Sequence, residues 1–159
     1  MFLNAHTPVV EALRSEGPRE GVCVAGWVRT RRDAKGFSFL EVNDGSSLAS
    51  LQVVVDAGVP GYEGIHQFTT GSAVRISGDL VASKGEGQAW ELQARQLELV
   101  GGADDSYPLQ KKRHSPEYLR EIAHLRPRSN LFGAVFRVRS RLAYAIHRYF
   151  QEKNFLYVH

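Results

Sequence analysis

Gly26-Trp-Val-Arg-Thr-Arg-Arg-Asp-Ala-Lys-Gly-Phe-Ser-Phe-Leu-Glu-Val-Asn-Asp44 reads as two antiparallel strands joined by a basic, glycine-containing turn. Successive side chains on a strand point to opposite faces. In the second half of the stretch, Ser38, Leu40 and Val42 therefore share one face, and Phe37, Phe39 and Glu41 share the other. Leu40 and Val42 are candidate core. The opposite face carries two aromatic rings beside a carboxylate, next to Arg29, Arg31 and Arg32. Rings flanked by guanidinium groups on a strand surface suit unstacked bases and the phosphates between them. The competing reading is a strand covered on both faces, with the rings simply packed; the arginines and the strands that follow favour nucleic acid.

Outward from this pair, the pattern predicts three more strands. Gly21 to Arg32 is the long first strand, with Val22, Val24 and Val28 alternating and Gly26 allowing a bend. Phe37 to Asn43 is the second. After the Asp44-Gly45 turn, Leu48 to Val55 is the third, with Leu51, Val53 and Val55 on one face and Gln52 and Val54 on the other. Pro60-Gly61 opens a short helical segment from Tyr62 to Thr69, closed by Gly71. Ala73 to Val81 and Ala89 to Val100 are the fourth and fifth strands, joined by a hairpin turn at Lys84 to Gly87 that lacks the phosphate-loop pattern. Ahead of the strands, Thr7-Pro8 followed by Val9, Val10, Ala12 and Leu13 reads as a short capped helix that ends at Gly17-Pro18. The fold class is mainly β. Five strands with a helix between the third and fourth is the order of an OB-fold, a small Greek-key barrel that binds oligonucleotides on its second and third strands. Another small barrel or sandwich with an incidental helix is the rival architecture.

A chain of 159 residues, 43% of them hydrophobic, suffices for one small domain plus a piece of another. The net charge of +3 is unevenly placed: from Tyr107 to Arg141 there are nine Lys or Arg and two acids, Glu117 and Glu121. Such a block either tracks phosphate or is a solvated linker. Cys23 is the only cysteine, which rules out an intrachain disulfide and fits a small buried residue in a reduced, cytoplasmic protein. No apolar run approaches the ~20 residues a membrane span needs. Met1 to Pro8 lacks the charged-then-apolar pattern of a signal peptide. The six histidines have no ligand-like spacing with cysteine or carboxylate, so no metal site is expected.

Gly101-Gly-Ala-Asp-Asp-Ser106, small and polar, marks a boundary. The expected division is a barrel at 1–102, a linker at 103–130 and the start of another domain at 131–159. Ser115-Pro-Glu117 is a helix start, and that helix ends before Pro127. From Leu131 to Lys153 one long helical pattern has a broad apolar face built from Val135, Val138, Leu142 and Tyr149 beside Phe132, Phe136, Ile146 and Phe150. Phe155 to His159 then reads as the beginning of a strand. Two helices bury too little to form a domain, which implies the front part of a longer protein. The alternative is a helical appendage packed on the barrel.

Tyr107-Pro-Leu-Gln-Lys-Lys-Arg-His-Ser-Pro-Glu-Tyr-Leu-Arg-Glu-Ile-Ala-His-Leu-Arg-Pro-Arg-Ser-Asn130 strongly resembles the inter-domain segment of asparaginyl-tRNA synthetases. The preceding barrel resembles the anticodon-binding domain shared by the asparaginyl, aspartyl and lysyl enzymes. Phe136-Arg-Val-Arg-Ser-Arg-Leu142, continuing to Phe150-Gln-Glu-Lys-Asn-Phe-Leu-Tyr-Val-His159, is similar to the first signature motif of class II synthetases, a long helix leading into a strand. The proline that normally follows this motif is not in the sequence, nor are the second and third motifs that hold ATP and the adenylate. The resemblance therefore implies no catalytic residue in this segment and no cofactor. It implies ATP and magnesium for a full-length parent that attaches asparagine to tRNA, a homodimer through the Leu131–Lys153 helix, and tRNA as partner.

The same resemblance implies roles for six residues. Phe39 falls where this subclass stacks a ring on the middle anticodon uridine, and Gln52 where a glutamine hydrogen-bonds that base. Glu91 falls where a glutamate meets the first anticodon base. Arg29, Arg31 and Arg32 fall in the region that holds the anticodon backbone, Arg32 being the firmest match. Periodicity agrees for three of them: Phe39 and Gln52 alternate with the core positions Leu40 and Leu51, and Glu91 lies between Trp90 and Leu92, off the core. An aspartyl-specific parent or a general single-strand-binding OB protein are the alternatives. No residue is assigned to the third anticodon base.

Overall fold

The structure, a computed structural model, describes residues 6–85 and 87–158. Residues 1–5, Glu86 and His159, on which parts of the leader, hairpin-turn and last-strand readings fall, lie outside the described residues. The chain separates into two compact units, one ending at Arg113 and the other beginning at His114.

The first unit is a closed five-stranded barrel in the order β1-β2-β3-β5-β4. Its strands are β1 (Arg19–Ala34), β2 (Phe37–Asn43), β3 (Leu51–Asp56), β4 (Ala73–Ala82) and β5 (Trp90–Gly101). Neighbours are antiparallel except β3 and β5, which run parallel and close the barrel. β1 is long enough to pair with β4 through its first half and with β2 through its second. Between Val28 and Thr30 the register shifts, so that Arg29 is the extra residue of a bulge. At Gly26 a Cβ would sit 2.7 Å from the carbonyl oxygen of Asn43, so only glycine lets the strands approach this closely.

Valine, leucine and isoleucine at every second position fill the barrel. Val22, Val24, Val28, Leu40, Val42, Leu51, Val53, Val55, Val74, Ile76, Leu80 and Leu92 are all buried. Cys23 is only half-buried, because it falls between Val22 and Val24 and the same alternation turns it outward. Between β3 and β4 the predicted helical segment is a 3₁₀ helix, Tyr62–Gln67, entered through Gly61 at φ +89°. The hydroxyl of Tyr62 meets Ser38 Oγ at 3.0 Å, which ties this helix to β2.

The third strand begins at Leu51 rather than Leu48. The intervening loop makes local bonds instead of a ladder. Asn43 Nδ2 donates to the carbonyls of Ser47 and Ala49, and the loop holds α1 (Val9–Leu13). The cap of α1 is Pro8, not Thr7, and Pro8 offers no side-chain acceptor. Its place is taken from across the fold: Asp44 Oδ2 accepts from the N–H of Val9 and Ser46 Oγ from that of Val10, both at 2.9 Å. Partial burial pulls the Asp44 carboxyl upward. Hydrogen bonds from the Ser46 hydroxyl and from the backbone N–H groups of Val9, Ser46 and Asp44 outweigh this and hold it below the ordinary carboxylate value. A lowered folded-state pKa contributes stability that is complete above the unfolded value of about 3.9 and is lost as pH falls through the folded value. Asp44→Ala is expected to cost about 0.5–2 kcal/mol at neutral pH, the range for a lost helix cap. Melting curves from pH 7 down to 2 check this: the difference between wild type and variant should narrow toward the acid end.

The segment after β5 stays with the barrel. Ser72 is fully buried and its Oγ accepts from the N–H of Ala103 at 3.2 Å, while Thr69 Oγ1 donates to the Ala103 carbonyl. The ring of Tyr107 lies where a Cβ on Gly71 would be.

The second unit contains α2 (Pro116–Glu121), a 3₁₀ turn at Arg126–Arg128 and α3 (Asn130–Glu152). Ser115 caps α2 by accepting from Tyr118 N, and Ser129 caps α3 by accepting from Phe132 N. The Arg126 guanidinium lies over the rings of Phe132 and Phe136. Asn154, at φ 63°, closes α3. The strand expected from Phe155 does not form among residues 155–158, since a strand needs a ladder partner and none is supplied by the described residues. On α3, Val135, Val138, Leu142, Ile146, Tyr149 and Phe150 are exposed. Among the described residues no helix is long and apolar enough to cross a membrane.

Candidate nucleic-acid interface

On the outer side of β1, β2, β3 and β5, the register lines up two transverse rows. Arg32 pairs with Phe39, Phe39 with Val54, and Val54 with Gln93. One step along, Thr30 pairs with Glu41, Glu41 with Gln52, and Gln52 with Glu91. Residues opposite one another on paired strands share a face at about 5 Å. The first row offers an aromatic surface under a guanidinium, and the second a series of hydrogen-bonding groups.

The Arg32 guanidinium carbon lies 5.4 Å from the centre of the Phe39 ring. Phe37 meets the same ring edge-on at 5.1 Å. Phe39 is half-buried, between fully buried Ser38 and Leu40. Arg32 is exposed and has no ion pair among the described residues, so its charge is available to an anion. In the second row, Gln52 Nε2 donates to Glu91 Oε2 at 3.2 Å. Ser83 Oγ donates to the same oxygen at 3.0 Å, and Gln93 Nε2 to Oε1 at 2.9 Å. Glu91 is off the apolar core, as alternation requires, yet only 4% exposed, because these polar neighbours cover it.

Arg32, Phe39, Gln52 and Glu91 are thus brought together on one surface. Arg31 is not with them. It pairs with core residue Leu40, so its side chain belongs to the opposite face; there its Nη1 donates to the carbonyl of Ile65 at 2.9 Å and its Nε lies 3.3 Å from Asp33. Arg29 occupies the bulge, its carbonyl accepting from Thr70 Oγ1. Two residues of the cluster escape a reading of the sequence. Gln93 follows Glu91 by two and shares its face by simple alternation, a signal that was present. Ser83 lies beyond the end of β4, where alternation says nothing.

The match of residues 22–100 to the family model for the OB-fold nucleic acid binding domain covers all five strands from within β1. Beyond the barrel, the chain is 56% identical over 154 residues to the asparagine–tRNA ligase of Nitratidesulfovibrio vulgaris strain DP4. It is 58% identical over 153 residues to that of Geotalea uraniireducens. Each alignment takes in 96% of this chain and 33% of the relative. Along nearly its whole length this chain is therefore similar to asparagine–tRNA ligases. It spans about a third of the length of these relatives, and its OB-fold nucleic acid binding domain lies within that third. The fold agrees with that of asparaginyl-tRNA synthetase from Pyrococcus horikoshii complexed with asparaginyl-adenylate: TM-score 0.84 at 22% identity, over 99% of this chain and 36% of that one. A putative aspartyl-tRNA synthetase from Leishmania major has the same arrangement, with TM-score 0.81 at 21% identity, over 100% of this chain and 34% of that one.

Proposed function

We propose that this chain recognises the anticodon of an asparagine tRNA as part of a cytoplasmic ligase that attaches asparagine to it at the expense of ATP. The observation that carries the reading is the pair of rows. Phe39 provides the platform for the middle anticodon base, Gln52 and Glu91 the polar contacts to base edges, and Arg32 a charge for the neighbouring phosphate. Arg29, at the bulge beside this face, is assigned to the backbone as well. Arg31 would reach the RNA only after leaving Ile65 and Asp33. The functional division is an OB domain at 1–102, a linker at 103–130 and the start of the catalytic domain at 131–159. The described residues contain no group of three or more His, Cys, Asp or Glu suited to a metal, and no residue here is assigned to ATP or magnesium. Those belong to the remainder of the parent.

The experiment is a titration of a GUU-anticodon stem-loop against the same hairpin with its middle uridine replaced by cytidine. Binding that is tighter for the first supports the reading. Equal affinity for both and for oligo-dT indicates a general single-strand binder instead. Arg32→Ala should weaken binding to both hairpins alike. If Arg32 neutralises one phosphate, the log–log salt slope should flatten by about 0.7. An unchanged slope places Arg32 off the backbone.

The exposed apolar face of α3 supports assembly as a homodimer through the Leu131–Lys153 helix, since contiguous apolar surface of this kind tends to be covered by a partner. Light scattering at high micromolar concentration should show dimer for the wild type and monomer for the Val138→Glu, Leu142→Glu double variant. A monomeric wild type would overturn the assignment.

A further inference from the structure

The Glu91 carboxylate is buried yet lies on the surface assigned to RNA. At 4% exposure its oxygens are reachable only if a covering side chain moves. The hydrogen bonds say which one can. Oε2 has two donors, Gln52 Nε2 at 3.2 Å and Ser83 Oγ at 3.0 Å. Oε1 has Gln93 Nε2, at 2.9 Å. If Gln52 leaves, Oε2 keeps Ser83 and Oε1 keeps Gln93, so neither oxygen is stranded. If Gln93 leaves, Oε1 loses the donor recorded for it, and a buried charged oxygen without a donor is costly. Gln52 also makes the longest of the three bonds. It is therefore the member that can be released.

Resting on the anticodon reading above, we propose that Gln93 is a positioning residue that holds Glu91 in place so that Gln52 can exchange its amide from Glu91 to an RNA base. In the free protein the Gln52 amide and the Glu91 carboxylate satisfy each other across the parallel β3–β5 pair. A base that takes the Gln52 amide simultaneously opens one side of Glu91. Gln93 makes this exchange possible without a stranded charge. It sits at the end of the Arg32–Phe39–Val54 row while its side chain reaches into the Gln52–Glu91 row, so it links the stacking surface to the hydrogen-bonding one. Without it, Oε1 must draw on Gln52, and Gln52 is pinned.

This predicts a specific non-additivity. Affinities for the GUU hairpin are measured with the whole 159-residue chain for wild type, Gln52→Ala, Gln93→Ala and the double variant. Contacting residues in one network couple by about 2- to 150-fold in an equilibrium constant. Here the coupling should have one sign: Gln52→Ala weakens binding clearly in the wild-type background and little in the Gln93→Ala background. Gln93→Ala and the double variant should melt below wild type, since a buried carboxylate oxygen loses its donor, so all four titrations are run well below every midpoint. Gln93→Leu, similar in volume and without the donor, repeats the cycle if Gln93→Ala unfolds. Additive losses in both backgrounds overturn the proposal. A wild type that does not prefer the GUU hairpin to its middle-cytidine variant overturns the anticodon reading itself, which is a separate result from additive losses in a wild type that does.

Discussion

Leu40→Ala is expected to lower the stability of the barrel by about 2–5 kcal/mol, the range for truncating a well-packed core leucine. Leu40 is fully buried, lies opposite Val53 on β3 and belongs to the cluster that fills the barrel. For a unit of about a hundred residues each kcal/mol moves the melting temperature by roughly 4–8 °C, so the midpoint should fall by at least about 8 °C. Whatever fraction remains folded should keep its hairpin affinity, because Leu40 does not reach the outer surface. Thermal unfolding followed by circular dichroism, with RNA titration well below the midpoint, separates the two effects. A small change in melting with a large loss of affinity would mean that the faces of β2 are assigned the wrong way round.

That assignment was legible from the sequence for a physical reason. β2 has a strict alternation, and a one-residue slip would expose Leu40 and Val42 while burying Glu41. The same argument fixed β3, where Gln52 and Val54 alternate with Leu51, Val53 and Val55. It worked less well where alternation is interrupted. On β1 the bulge at Arg29 breaks the period, so residues on either side of it cannot be placed by counting, and Arg31 came out on the face of Leu40 rather than that of Phe39. Glu91 was placed on the correct side, but its burial was not foreseen. That burial depends on Gln93, two residues along the same strand face, and on Ser83, whose approach is set by the β4–β5 pairing and not by any local pattern. The cap of α1 was misread in the same way. A nearby Thr7 was the local candidate, while the observed acceptors, Asp44 and Ser46, lie more than thirty residues away.

Phe39→Ala tests the outer face as Leu40→Ala tests the inner one, one residue along the same strand. The Phe39 ring is half-buried, flanked by Phe37 and with the Arg32 guanidinium over it. A base stacking on such a ring contributes about 1–3 kcal/mol, so its loss should weaken binding of a GUU-anticodon hairpin by roughly 5- to 150-fold. Arg32→Ala removes a charge and should act on all hairpins alike. Phe39→Ala removes a platform and should act most on the hairpin whose middle base it carries. The substitution leaves the apolar interior untouched, so the melting temperature should stay much closer to wild type than that of Leu40→Ala. Phe39→Leu separates stacking from plain apolar contact: a leucine keeps most of the buried area but has no ring face, and should recover stability without recovering affinity. Full affinity in Phe39→Leu would show that the site uses Phe39 as apolar filler. Full affinity in Phe39→Ala would remove Phe39 from the interface altogether and leave the Gln52–Glu91 row as the part of this surface to which a base could bind.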